Sequence, residues 1–335
     1  MADLTILRFS DLFPQEKACV DACVEEIKKG IDTNEVQVDP SYRGFFNRKS
    51  GSEIFWIVAR DWQKALRFLE AQKGHEKIFV SVFATASERL TPWETWLRSL
   101  SGPWGSHIQW ITHSPLSLKF MKDLVGVPEI QLEYLPLPMP RMQSSEKSGA
   151  FRVGLFGAFT PESNLHFLLT VAHYLQQRDP SIETRVMGTG PLYAHLKCLA
   201  EDMNLGPQMI LEETKDWHQA ALLDCAVFFP NRNDHFSDLL VAGASEVVPI
   251  SRNVQGIDEY IKDAYSGFVF DSDDIKSTAE ALITLKNNPL LKSEMAKRFK
   301  TALTERYSPL RIADQYLNLW KGQEYRTQNF RRRAL

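Results

Sequence analysis

Short continuous apolar runs alternate with amphipathic stretches along most of the chain. That rhythm predicts strands covered by helices on both faces. In the first half, runs at 4–9, 54–59, 77–83, 107–112 and 131–136 read as strands. Helices are predicted at 14–30 (Pro14 at its start, Gly30 at its stop), at 61–72 with Asp61 as cap, in the Trp-rich 92–100, and at 115–125. The pattern restarts after residue 150, with strands at 151–156, 182–187, 209–211, 226–230, 247–251 and 268–270. Helices are expected between them at 161–177, 192–203, 215–224, 237–244 and 258–262, and three more at 274–287, 290–307 and 309–321. Alternation on both sides of a break predicts an α/β fold of two Rossmann-like, doubly wound domains facing a cleft that binds a ligand.

The break is PMPRMQSSEKSGA at 138–150, a run of Pro, Ser and charge without period, which reads as a linker. The expected division is 1–137 for the first domain, 138–150 for the linker, 151–307 for the second domain, and 308–335 for a terminal helix and basic tail. A length of 335 residues suits two cores of roughly 150 residues each. The formal charge of -3 gives no general attraction to nucleic acid, so no nucleic-acid partner is expected. No signal peptide and no apolar window of ~18 residues stand out, so a cytoplasmic protein is expected. Arg326, Arg331, Arg332 and Arg333 make the tail either a solvated end or a peripheral contact to the anionic inner membrane face. Cys19 and Cys23, one helical turn apart in an apolar stripe, are expected to be buried thiols; no metal is expected.

Glycine turns mark the expected strand ends: Gly157, then Gly188-Thr189-Gly190-Pro191, Gly256-Ile257-Asp258-Glu259, and Gly267. In a doubly wound sheet the carboxyl ends of the strands form the ligand crevice, and amides exposed there can hold an anion. There is no G-x-S-x-G elbow, P-loop lysine or HExxH, and no G-x-G-x-x-G follows the first strand, so a dinucleotide dehydrogenase is not expected.

These turns come in order with Pro230-Asn231-Arg232-Asn233-Asp234-His235-Phe236 and Pro249-Ile250-Ser251. The set resembles the donor domain of retaining GT-B glycosyltransferases of the family-four type, the glycosyl transferases group 1. A weaker likeness lies at Ile111-Thr112-His113-Ser114 and Tyr134-Leu135-Pro136 in the acceptor half. The resemblance implies GT-B architecture and a nucleotide-sugar substrate, with no cofactor and no metal. It places donor-binding groups at Gly157, Gly188, Thr189, Gly190, Pro191, Gly256, Ile257 and Glu259, and keeps one carboxylate of the family's glutamate pair as Asp234. His235 beside it and His113 at a strand end are the candidate catalytic histidines.

The chain departs from the pattern at four places. Ala158 stands where the family has arginine, Ser163 where it has lysine, Ala242 where it has the second glutamate, and Phe83 where the acceptor domain often has histidine. The first loop, 10–14, has no glycine. A diphosphate leaving group needs aimed positive charge, and Arg232 and Arg252, both after strand ends, are the cations best placed to substitute. Two functions follow. One is a divergent hexosyltransferase moving sugar from a nucleotide-sugar donor to a glycan, lipid or protein. The other is a non-catalytic relative that binds a saccharide or a partner protein, such as another glycosyltransferase, through the old cleft and the tryptophans Trp93, Trp96, Trp104 and Trp110.

Overall fold

The computed structural model describes residues 3–9, 12, 14–38, 52–59, 77–83, 108–142, 147, 149–230 and 236–321. The first sheet holds β1 (Asp3–Phe9), β2 (Thr33–Val38), β3 (Ser52–Ala59), β4 (Lys77–Val82), β5 (Ile108–Thr112) and β6 (Leu132–Tyr134), ordered β2-β1-β3-β4-β5-β6. The second holds β7 (Phe151–Ala158), β8 (Ile182–Thr189), β9 (Met209–Glu213), β10 (Cys225–Phe228), β11 (Val248–Arg252) and β12 (Phe268–Phe270), ordered β12-β11-β10-β7-β8-β9. Every pairing is parallel. The second order winds outward both ways from β7, so its switch point lies between β7 and β10. An open α/β sheet leaves its crevice there.

β2 was not expected from the pattern. Its sequence, TNEVQV, is polar because it is an edge strand with one neighbour, β1. Its Glu35 meets Arg8 of β1 at 3.0 Å and also Lys28. The helices are α1 (Pro14–Ile27), α2 (Pro115–Phe120), α3 (Leu165–Arg178), α4 (Tyr193–Asp202), α5 (Ser237–Ala244), α6 (Ile275–Asn287), α7 (Pro289–Tyr307) and α8 (Pro309–Trp320). Ser114, Asp274, Asn288 and Ser308 cap α2, α6, α7 and α8 through their side-chain oxygens.

Several expected helices are shorter or tighter. The stretch 161–177 is interrupted at Asn164, which takes a left-handed conformation (φ 47°) between a 3₁₀ turn and α3. The stretches 215–224 and 258–262 are the 3₁₀ turns Trp217–Leu222 and Ile257–Glu259. After Phe120 the helix widens into a π turn, Met121–Val125, which Gly126 ends. The helices expected at 61–72 and 92–100 and the tail beyond 321 lie outside the described residues. Among the described residues no helix is long and apolar enough to cross a membrane.

Three features tie the halves together. α8 returns to the first sheet, where Trp56 lies 4.7 Å from Tyr316 and 5.6 Å from Trp320, ring centre to ring centre. The segment after β6 is not a loose tether, because Leu137 and Met139 are buried and the Met139 N–H donates to the Tyr307 carbonyl at 2.7 Å. Further along it, Arg141 grips Glu26 of α1, which Lys29 also meets at 2.7 Å.

That contact sets a pH dependence. The bond from Lys29, with the charges of Lys29 and Arg141, holds the Glu26 carboxyl below the 4.5 of a free glutamate. A depressed carboxyl contributes stability that is full above the unfolded value and lost as pH falls through the folded one. Urea midpoints taken from pH 7 to pH 3 should therefore fall below about pH 4.5 more steeply for the natural chain than for Glu26→Gln. Parallel curves would show that the contact carries no stability.

Candidate functional site

The carboxyl ends of three strands meet at Gly157. β7 ends in Gly157-Ala158; α1 begins after β1, and α5 begins after β10. A Cβ placed on Gly157 would lie 3.2 Å from the Asp238 carboxylate in the first turn of α5, and 3.6 Å from the Gln15 amide in the first turn of α1. The two lobes thus close on each other at the switch point of the second sheet.

Beside that point β8 is pressed against β7. Gly188 pairs with Gly157 and is buried. A Cβ on Gly188 (φ 152°) would fall 1.8 Å from the Gly157 carbonyl oxygen, and one on Gly190 would fall 2.5 Å from that of Phe159. Thr189 and Gly190 are half-buried and Pro191 is exposed. The backbone there is already engaged, since Phe159 N–H donates to Thr189 at 2.8 Å and Leu192 N–H to Phe159 at 3.1 Å. The G-x-G-P glycines therefore serve a strand-to-strand approach.

The positions that lack cations are joined to each other. The Ser163 hydroxyl donates to the Ala158 carbonyl at 2.7 Å, folding the turn after β7 back on itself. Arg252, one of the two expected substitutes, pairs with Asp273 at 2.7 Å. Arg152 and Arg185 both meet Glu183, far down β7 and β8 from their carboxyl ends. Ala242 is buried in α5. Arg232, Asp234 and His235 lie outside the described residues.

Glu259 and Gly256 sit at another point between the lobes. Gly256 takes φ 86°, with Phe236 an ordinary 3.6 Å from its Cβ position, and Ile257 is buried. The Tyr260 ring stacks on Tyr307 at 5.0 Å and leans on Phe236 at 4.5 Å. Burial, then the charge of Glu259, pushes the Tyr307 hydroxyl up to about 12. Burial also raises Tyr134 at the end of β6, with Tyr307 and Glu259 adding to it. The Glu259 charge thus acts on tyrosines drawn from both lobes.

His113 is 3% exposed, its Nδ1 is 2.8 Å from the Leu135 carbonyl, and its ring lies 4.5 Å from Phe83. The carbonyl makes Nδ1 the protonated nitrogen of the neutral ring. Trp110 is fully buried within β5, which places it in the core. Trp93, Trp96 and Trp104 lie outside the described residues.

The pattern did not reveal Gln15, Glu16 and Asp238. Gln15 and Glu16 are 1% and 0% exposed and continue the buried stripe of Cys19 and Cys23 to the helix tip. A polar pair on an apolar stripe was the available signal, as was a lone acid in the otherwise apolar start of α5. Cys19 and Cys23 are buried free thiols, while Cys198 is exposed. Burial, then Glu16, Asp238 and Asp21, raises the Cys19 thiol well above its ordinary value. Among the described residues no three His, Cys, Asp or Glu side chains gather as a metal cluster.

Two parallel, doubly wound sheets joined by a buried segment and closed by a terminal helix that returns to the first lobe make up the GT-B fold. HepE of Anabaena, solved with UDP and glucose, superposes with a TM-score of 0.71 at 13% identity over 94% of this chain and 99% of that one. WaaG, a glycosyltransferase involved in lipopolysaccharide biosynthesis, gives 0.64 at 10% identity over 96% and 100%. Residues 141–306 match the model of glycosyl transferases group 1. The poly(ribitol-phosphate) alpha-N-acetylglucosaminyltransferase of Staphylococcus aureus is 22% identical over 173 residues, 51% of this chain and 35% of that protein. An uncharacterized glycosyltransferase of Methanocaldococcus jannaschii is 24% identical over 156 residues, 45% of this chain and 43% of that protein. The chain thus spans less than half the length of either curated relative.

Proposed function

We propose that this chain is a divergent glycosyltransferase that takes a sugar from a nucleotide-sugar donor bound where β7, β8 and β10 end. The observation that carries this reading is the meeting of both lobes at Gly157, which puts the donor crevice of the second sheet against α1 of the first. Gly157, Gly188 to Pro191 and Gly256 to Glu259 shape the donor side. Asp234, with His235 next to it, acts on the sugar. Of the two cations singled out in the sequence, Arg232 is assigned to the diphosphate, because Arg252 is held by Asp273. His113, bound to Leu135, positions the acceptor side.

Calorimetric titration with UDP, GDP and their sugars, in EDTA and again with Mn2+, tests the reading. Binding below millimolar in either buffer, followed by donor hydrolysis that Asp234→Ala removes, is the expected result. No binding in either buffer sinks it. The Ser163–Ala158 closure favours a second reading, a non-catalytic relative that holds a saccharide or another glycosyltransferase in the cleft. Donor hydrolysis lost in Asp234→Ala would end that alternative.

A further inference from the structure

The first turns of α3 and α4 bring two histidines together beside the crevice turns but not within them. His166 is the second residue of α3 and His195 the third of α4, and both are exposed. Their Nε2 atoms lie 3.1 Å apart and their ring centres 5.3 Å apart, so the rings meet head-on through these nitrogens. Both rings are open to water, so burial does not account for the contact. Two neutral imidazoles placed this way share one proton, with one Nε2 donating and the other accepting. An ion that takes both lone pairs replaces that proton at the same place.

We propose that His166 and His195 form a surface site for a divalent transition-metal ion of the Zn2+, Ni2+ or Cu2+ class. Imidazole nitrogens suit these ions, and histidine is the commonest metal ligand in proteins. The spacing fits a chelate, since two nitrogens 3.1 Å apart, each about 2.05 Å from one ion, subtend about 100° at it. That angle lies between those of square-planar and tetrahedral sites. Because both rings are exposed, each can tilt to aim its lone pair at the shared ion. Two protein ligands leave the remaining positions to water, so the site is open and its ion exchangeable, unlike a closed structural cage. The ion staples α3 to α4 just past the turns that follow β7 and β8. Those turns already meet: the Phe159 N–H donates to the Thr189 carbonyl at 2.8 Å, and the Phe159 ring stacks on Tyr193 at 6.1 Å. The site needs nothing from the nucleotide-sugar reading and leaves the expectation of metal-free donor binding as it stands.

Calorimetric titration of the full chain with Zn2+, Ni2+ and Cu2+, after stripping with EDTA and dialysis, tests the site. Each should bind one to one, Cu2+ most tightly, and Mg2+, which prefers oxygen donors, should not compete. His166→Gln and His195→Gln should each weaken binding at least tenfold. His218→Gln, at an exposed histidine on another element, should leave it unchanged. Glutamine keeps a hydrogen-bonding group at the contact, so the melting temperature without metal should not move in either variant. Zn2+ should raise the melting temperature of the natural chain, because an ion bound only by the folded state stabilises it, and both variants should lose that rise. Electron paramagnetic resonance of bound Cu2+ counts the ligands directly. It is taken in Cys198→Ser, which removes an exposed thiol able to reduce the ion. Two coupled nitrogens are expected, and one after either glutamine substitution. No binding to the natural chain, or equal binding by the natural chain and both variants, overturns the site and leaves the pair a hydrogen bond.

Discussion

Gly188→Ala should cost the C-terminal lobe about 4 kcal/mol, a size that single substitutions reach only through strain, overpacking or a similar defect. The new Cβ would lie 1.8 Å from the Gly157 carbonyl oxygen, where no flexible side chain can give way. β7 and β8 are paired along their whole length, from Phe151 with Ile182 to Ala158 with Thr189, so separating their ends breaks a ladder at the centre of the sheet. Gly256→Ala is the comparison. It asks an alanine to adopt φ 86°, but meets Phe236 only at 3.6 Å, so about 1 kcal/mol is expected from backbone conformation alone. Urea denaturation of both variants measures the difference. Equal losses would mean that the β8 turn yields, and that its glycines are kept for a ligand instead of for packing.

That contrast shows how far the sequence could be read. A glycine at a strand end signals close approach, but the pattern does not say whether a ligand or a neighbouring strand comes near. For Gly188 the neighbour is β7 itself, and for Gly190 it is Phe159, the residue after β7. The apolar runs of β1, β3 to β5, β7, β8 and β11 were legible because parallel strands covered on both faces carry few polar positions. β2 was not legible, because an edge strand needs little apolar surface. The 3₁₀ turns at Trp217–Leu222 and Ile257–Glu259 carry helical spacing over too few residues to be told from helices.

At the site, the losses at Ala158, Ser163 and Ala242 could be read residue by residue against the family. The partner of each remaining group could not, because a side chain's partner is set by distant segments. Arg252 is the last residue of β11, where a position just past the strand was expected, and Asp273, 21 positions later, takes up its charge. Glu259 keeps its family position, yet Tyr134 from the other lobe shares its surroundings. Gln15 lies in the first lobe's opening helix and meets Asp238 at Gly157 only because the lobes close there.

Replacing the missing cations should restore tight diphosphate binding. In Ala158→Arg with Ser163→Lys, two charged donors return to the turn after β7, each able to add roughly 1.5–3 kcal/mol to a hydrogen bond with an anion. Side-chain ordering and repulsion between the two new cations offset part of this, so a net gain of about 3 kcal/mol, roughly a hundredfold in Kd, is expected for UDP or GDP in EDTA. Ser163→Ala separates the effect of charge from the effect of opening the turn. It deletes the 2.7 Å bond to the Ala158 carbonyl and the 3.3 Å contact with the Thr160 hydroxyl, so it should lower stability by about 1 kcal/mol and leave nucleotide affinity unchanged. If calorimetry finds its affinity no better than that of the natural chain, the diphosphate does not sit at the end of β7, and the donor crevice must be sought elsewhere in the cleft.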